Sequence, residues 1–329
     1  MSRSLHPDAR AMLARLKHEG ITALYHFTSV ENLPSICHTG ALCSKQMLED
    51  AGKWPCPVPG GEGPSHSLDL SIGNWDKVPL SLTPHTPMAY RRKGKLHFCF
   101  FVIRIEVAIW SGVVFTDSNA AGTTDQLRDE GPSGLNNIKF DVIRSIPRPW
   151  DREGWVRPVQ AEVLVPDSIL FAHVSEVVFV SNASMKYGQH LCKSYSHPRF
   201  SVKAQVFTDS PRALSTAINF AYVKSFLLTD SKVEQNMVYL EKNKYSKTLD
   251  NHVLVVAEVH ALPGLQGKVL LRNIFSGVEN IVESTEFPRQ DEYRHMCSIP
   301  LNSLPVGLYL VKYFLGNLCW SASSFEVVP

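Results

Sequence analysis

Apolar positions along this chain fall into short runs separated by turns, and each run predicts an element. Residues 1–20, MSRSLHPDARAMLARLKHEG, read as a short amphipathic helix, with Pro7 near its start and Gly20 at its end. ITALYHFTS (21–29) reads as a strand, and Val30 to Thr39 as a helix stopped by Gly40. Residues 53–66 are crowded with proline and glycine and predict a loop. VPLSLTP (78–84) is a short strand, and TPMAYRRKG leads away from it. LHFCFFVIRIEV (96–107) is long, aromatic and β-branched, the signature of a central strand. VVFTD, QAEVLVP and SEVVFVS predict three more strands. Residues 118–157 are polar and nearly aperiodic, which suggests an irregular excursion with short helices. Short strands mixed with helices and long loops define an α+β class with a compact mixed sheet.

The texture changes after about residue 210. PRALSTAINFAYVKSFLL (211–228) fits a helix or a strand. From residue 253 the runs HVLVVAEV, GKVLLRNI, HMCSIPLNSL, GLYLVKYFL and LCWSASSFEVV are spaced by turns such as LPGLQG and LPVG. That spacing predicts an antiparallel, immunoglobulin-like β-sandwich. The expected domains are residues 1–210 and residues 211–329.

Composition changes this picture little. With 44% hydrophobic and 19% charged residues the chain reads as an ordinary globular protein, and 329 residues suffice for two domains. A net charge of +2 does not mark a nucleic-acid binder, although it leaves room for a local basic groove. The N-terminus lacks the apolar centre of a signal peptide, and no stretch is long enough to cross a membrane. A cytoplasmic location is expected, without membrane contact. The seven cysteines are odd in number and include no CxxC pair, so reduced thiols are expected. Cys37, His38, Cys43 and Cys56 lie close together, but their spacing matches no standard metal site, and no metal is expected.

One residue breaks the pattern. Glu162 sits inside QAEVLVP among Ala161, Val163, Leu164 and Val165. A buried carboxylate is costly unless paired or used, whereas an alternating outward position would satisfy the same sequence. Three other stretches carry chemistry. In LYHFTSVENLPSI, His26 and Thr28 share a strand face and have the groups to hold a ribose or an amide, or simply to satisfy one another in a core. VPLSLTPHTPMAYRRKG delivers His85, Tyr90, Arg91, Arg92 and Lys93, either a solvated basic turn or a rim for phosphates. FTDSNAAGTTDQLRDEG takes Asp117, Ser118 and Asn119 from a strand into a loop of small residues.

Taken in order, YHFTSVENLPSI, GALCS, VPLSLTPHTPM, VVFTDSNAAG and QAEVLVP resemble the DarT-type ADP-ribosyltransferases, which modify nucleic-acid bases using NAD. The resemblance spans roughly residues 20–185. It implies a split mixed β-sheet core with helices and an NAD cleft between two small sheets. Tyr25, His26 and Thr28 would line the nicotinamide end, Asn32 and Leu33 would belong to the following helix, and Ser81 and Asn119 would complete the NAD site. Glu162 would be the catalytic glutamate, facing the cleft. It would stabilise the positive charge that grows on the ribose as the nicotinamide bond breaks. Lys45, Arg91 or Arg92 would assist deprotonation of the attacking base, and His85, Arg91 and Lys93 would contact nucleic acid. Single-stranded DNA or RNA would be the substrate and an antitoxin protein the partner, in growth arrest or phage defence.

The sequence departs from the family's pattern in two places. Ser81 stands where the family usually carries an aromatic residue that stacks nicotinamide, and lysine or histidine stands at Lys45 and His85 where arginine is favoured. These departures bear on the target base. Trp54, Trp75 and Trp150 are candidate stacking platforms, or simply packed anchors. Other readings of the same residues are transfer to a protein side chain, a degenerate fold used as a binding platform, and a glycosidase pairing Glu162 with Asp117 or Asp167.

Overall fold

The computed structural model describes residues 3–54, 56, 58, 63–92, 94–121, 125–145, 153–208, 220–230 and 241–329. The chain forms two compact units. One comprises Met1–Lys93, Phe98–Phe179 and Cys192–Ile218, the other Gly94–His97, Val180–Leu191 and Asn219–Pro329.

The first unit is built on an eight-stranded sheet in the order Phe200–Val202, Val174–Phe179, Phe98–Arg104, Ala23–Ser29, Lys77–Ser81, Glu162–Pro166, Val114–Thr116, Arg128–Glu130. Only the pairing of Phe200–Val202 with Val174–Phe179 is parallel, so the sheet is mixed. Phe98–Arg104 lies inside it, as its aromatic and β-branched composition predicts. A separate pair, Ala41–Cys43 with Ser168–Leu170, lies outside this sheet.

The two halves of the large sheet are barely joined. Ala23–Ser29 pairs along its whole length with Phe98–Arg104, but meets Lys77–Ser81 at the single register pair Tyr25–Ser81. Beyond that pair the strands separate and the sheet opens. Pro79 explains how this is tolerated: proline cannot donate to a ladder and normally stays at edges. Here its carbonyl instead accepts a hydrogen bond from the His26 ring, Nδ1 to O 3.0 Å. The cleft expected between two small sheets is therefore an opening within one sheet.

Local elements follow the sequence closely. The helix Ala9–His18 buries Ala9, Met12 and Leu16 on one face. The helix predicted over 30–39 divides into a 3-10 turn, Val30–Asn32, and an α-helix, Leu33–Thr39, which ends at Gly40 in the left-handed region (φ 72°). TPMAYRRKG contains a helix, Pro87–Arg92. Glu162–Pro166 is paired on both sides, which accounts for its nearly continuous apolar run.

In the second unit a three-stranded sheet (Tyr222–Thr229, His252–Ala261, Asp291–Pro300) packs on a five-stranded one (Lys244–Ser246, Leu318–Val328, Gly307–Leu315, Gln266–Asn273, Glu279–Glu286). Tyr313 of one sheet meets His295 of the other at 2.8 Å, and Phe226 packs near the same tyrosine ring. The unit takes in two earlier stretches of chain that a linear division at residue 210 misses. His97 stacks on Trp320 (4.2 Å) and Tyr187 (5.6 Å), donates to the Cys319 carbonyl and bonds the Ser184 hydroxyl. Those contacts fold residues 94–97 and 180–191 with the β-sheets. Cys297 is a buried free thiol and Cys319 a half-buried one.

Candidate functional site

A row of side chains crosses four strands of the first unit, Tyr25, Ser81, Glu162 and Thr116 in register. Residues directly opposite one another share a face of a sheet. Tyr25, Ser81 and Glu162 from this row line a cavity of about 210 Å³. Tyr25, His26, Phe27 and Thr28 all reach the same cavity, although a strand alternates its side chains. Four consecutive contributors mean that the strand presents its edge, which the opening beside Pro79 makes possible.

Glu162 is inside, not outside. Its Oε2 accepts the Ala120 N–H at 2.8 Å. Burial pushes its carboxyl up to about 7; the Asp69 charge adds to this, while the Ala120 N–H and the Lys45 ammonium pull the other way. Its own backbone N–H is received by Thr116 Oγ1 at 3.2 Å. The loop that delivers Ala120 is fixed from several directions. Asn74, buried, donates to the Ala120 carbonyl (3.2 Å) and accepts from Arg128 (2.9 Å). Asn119 accepts the Ala121 N–H at 2.9 Å, Gln126 donates to the Asn119 carbonyl at 2.6 Å, and Thr116 donates to the Ser118 carbonyl at 2.7 Å.

The His26 bond to Pro79 selects a tautomer. A carbonyl only accepts, so Nδ1 carries the hydrogen and Nε2 keeps its lone pair. Burial moves this imidazole below its ordinary value, which keeps it neutral, with the Pro79 bond opposing the shift in part. Burial also raises the Tyr25 phenol, with Glu176 adding to it.

Lys45 forms an ion pair with Asp69 inside the cavity wall and lies over the Trp75 ring, 5.2 Å from its centroid. Trp54 lines the cavity and meets Trp75 edge to face at 5.6 Å; the Trp75 indole N–H is held by Glu49. Asn32 ties down the loop before this wall. It donates to the Thr28 hydroxyl (3.0 Å) and the Val58 carbonyl (2.7 Å) and accepts the Val58 N–H (2.9 Å). Removing a buried partner leaves the others unsatisfied. Asn32→Ala is therefore expected to destabilise the first unit by about 2 kcal/mol, read as a lower denaturant midpoint without a change in slope.

The structure brings together Glu162, Lys45, Tyr25, His26, Thr28, Asn32, Ser81 and Asn119 around one cavity. It does not bring Leu33, which is fully buried in the core because it begins the helix on its inward face. His85, Arg91 and Arg92 do not line the cavity either. The segment folds into the helix Pro87–Arg92, Met88 takes the place at the wall, and one turn further the chain has moved on by about 5 Å. Arg92, given a catalytic role by the resemblance, is thus not among the side chains that line the cavity. Lys93 and Trp150 lie outside the described residues. Asp117 is engaged by Ser118 and the Leu127 N–H, Asp167 pairs with Arg3, and neither lines the cavity, so the glycosidase pair is not assembled. Cys37 lies against Cys192 (3.4 Å), whereas Cys43 and Cys56 line the cavity. Among the described residues no group of three or more His, Cys, Asp or Glu side chains is placed to hold a metal ion. Among them also, no helix is long and apolar enough to cross a membrane.

Sequence reasoning missed Asp69, Asn74 and Ala120. Ala120 acts through its backbone, Asn74 belongs to no motif, and Asp69 reads as the polar side of the helix Gly63–Ser71.

A carboxyl raised toward neutrality and a neutral histidine thus share one cavity at the opening of a mixed sheet, the kind of constellation that marks a candidate active site. Residues 25–208 match the family described as ssDNA thymidine ADP-ribosyltransferase, DarT. No curated protein matches the chain. Similar solved structures include Thermus sp. 2.9 DarT in complex with NAD+, 19% identical over 56% of this chain and 97% of that one, TM-score 0.45. The same Thermus protein in complex with ADP-ribosylated ssDNA is 18% identical over 62% and 99%, TM-score 0.43. Thermosipho africanus DarTG in complex with ADP-ribose is 20% identical over 56% of this chain and 50% of that one, TM-score 0.43. This chain belongs to the DarT family. It is an ADP-ribosyltransferase that uses NAD and acts on single-stranded DNA.

Proposed function

We propose that the chain transfers ADP-ribose to thymidine bases of single-stranded DNA at the cavity around Glu162. The carrying observation is that Glu162 opens inward to the cavity, in register with Ser81 and Tyr25, with one carboxylate oxygen held by the Ala120 N–H. NAD supplies the ADP-ribosyl group and a nicotinamide leaving group. Glu162 fixes the ribose and stabilises the positive charge that develops at its C1′ in a site largely closed to water. His26 Nε2 accepts from a ribose hydroxyl or the nicotinamide amide, and Tyr25 and Thr28 complete that end. The enclosed volume is smaller than the few hundred Å³ of a site for a whole drug-sized ligand. The cavity thus takes the nicotinamide–ribose end, and the adenosine end lies toward its mouth. Ser81 leaves that end without the family's aromatic stack, and Trp54 is the available platform in the same wall.

The base must be unstacked to reach the slot, which favours a single strand over a duplex. Modified bases block copying, so the activity demands restraint, and we assign that to an antitoxin protein, one that binds the enzyme or removes the ADP-ribose. We read the two packed sheets of the second unit as immunoglobulin-like and as a platform for such a partner or for DNA. The protein works in the cytoplasm on this reading. The test is incubation with labelled NAD and single-stranded DNA, RNA or bulk protein. Label on thymidine-containing DNA is expected; label on protein alone overturns the proposal.

A further inference from the structure

Attack by a thymine ring nitrogen raises a question that Glu162 does not answer. The N3–H proton has to leave, and the reading above gives Glu162 and His26 to the ribose and nicotinamide. Of the basic groups that the sequence offers for this, Lys45, Arg91 and Arg92, the two arginines do not line the cavity. Lys45 does, yet its Nζ donates to Asp69, and an ammonium has no acceptor to offer. What the ion pair does offer is a carboxylate acceptor beside an ammonium donor, both in the wall of the same cavity and both mostly shielded, with 16% and 20% of their side chains exposed.

We propose that Asp69 is a catalytic residue that receives the proton of the target base, and that Lys45, held by Asp69, binds the adjacent base carbonyl. This rests on the proposed function above. The two groups match a ring N–H flanked by C=O, the edge that thymine presents. Adenine and cytosine turn a ring lone pair to the same place, where the carboxylate repels it. In the step, the bond from base N3 to ribose C1′ forms while the bond from C1′ to the nicotinamide nitrogen breaks. The bonding pair leaves with nicotinamide, which becomes neutral, and the N3 proton passes to Asp69 and then to water. A carboxylate suffices as base, because the proton becomes strongly acidic only as N3 bonds to carbon. The ammonium stabilises charge on the carbonyl oxygen at the same moment.

The experiment compares wild type with Asp69→Asn on a thymidine oligonucleotide and measures DNA-bound and free ADP-ribose together. Loss of a general base lowers transfer by about 100-fold. The ratio of DNA-bound to free ADP-ribose is expected to fall with it. Above pH 8 the variant's transfer rate is expected to climb about tenfold per pH unit as the base ionises unaided, while wild type stays level. A merely structural role for Asp69 lowers both products together and leaves the ratio and the pH profile unmoved, and that result overturns the assignment, as does a variant equal to wild type. If wild type itself labels no DNA, it is the proposed function that fails, and the two failures are told apart by that control.

Discussion

Glu162→Gln is expected to lower ADP-ribosyl transfer by about 1,000-fold with the fold intact. Glutamine has the same shape, and its amide oxygen still accepts the Ala120 N–H that now holds Oε2. What it loses is the negative charge. The loss is large because the carboxylate is fixed by the Ala120 N–H and by register with Ser81 and Thr116, so little reorganisation is needed when charge develops. Nicotinamide release and DNA labelling, followed together, check this. Both are expected to fall in parallel, because release and transfer share the breaking of the bond from C1′ to nicotinamide. Release that survives the substitution at the wild-type rate removes Glu162 from the mechanism.

The second large effect is a dependence on pH in opposite directions for activity and stability. The proposed mechanism requires the ionised carboxylate, and burial raises this carboxyl to about 7. Activity is therefore expected to rise through neutrality and level off about a unit above it. Stability runs the other way. A carboxyl whose folded value lies above its unfolded one stabilises the fold fully below the unfolded value, and that contribution is lost as pH rises through the folded one. From the usual 4.5 up to about 7, ionising Glu162 removes up to about 3 kcal/mol. Glu162→Gln does not undergo this loss. Melting curves at pH 4 and pH 8 are expected to show the variant and wild type close together in acid and the variant more stable in base. A constant difference at both values contradicts a buried charge at this position.

The unusual position of Glu162 was legible in the sequence as a break in its strand's pattern. A charged residue amid Ala161, Val163, Leu164 and Val165 violates the pattern of a strand paired on both sides, and such violations concentrate where function outweighs stability. His26 and Thr28 were legible for a related reason, since polar residues in a regular strand need partners. Six strands of the large sheet were readable from their apolar runs, but Arg128–Glu130 and Phe200–Val202, three residues each at its two edges, were not. Glu279–Glu286 was not, because an edge strand with polar residues on both faces carries no apolar rhythm. The place of Arg92 was not legible, because a basic cluster looks the same in a turn as in a helix that carries it past the cavity. Leu33 misled because adjacency to Asn32 does not mean a shared face. Asp69, the Asn74 clamp and the Ala120 N–H are products of tertiary folding alone. They come from separate stretches of chain and meet only around the opening beside Pro79. The boundary near residue 210 was blurred for the same reason, because His97 stacks on Tyr187 and Trp320, both far ahead in sequence.

The most direct measurement is a crystal structure of the chain with a non-cleavable NAD analogue. The ribose C1′ is expected at contact distance, about 3–4 Å, from a Glu162 carboxylate oxygen, with His26 Nε2 bonded to the same end of the ligand. A dinucleotide seated outside this cavity, or a Glu162 side chain turned to bulk water while the analogue is bound, contradicts the account.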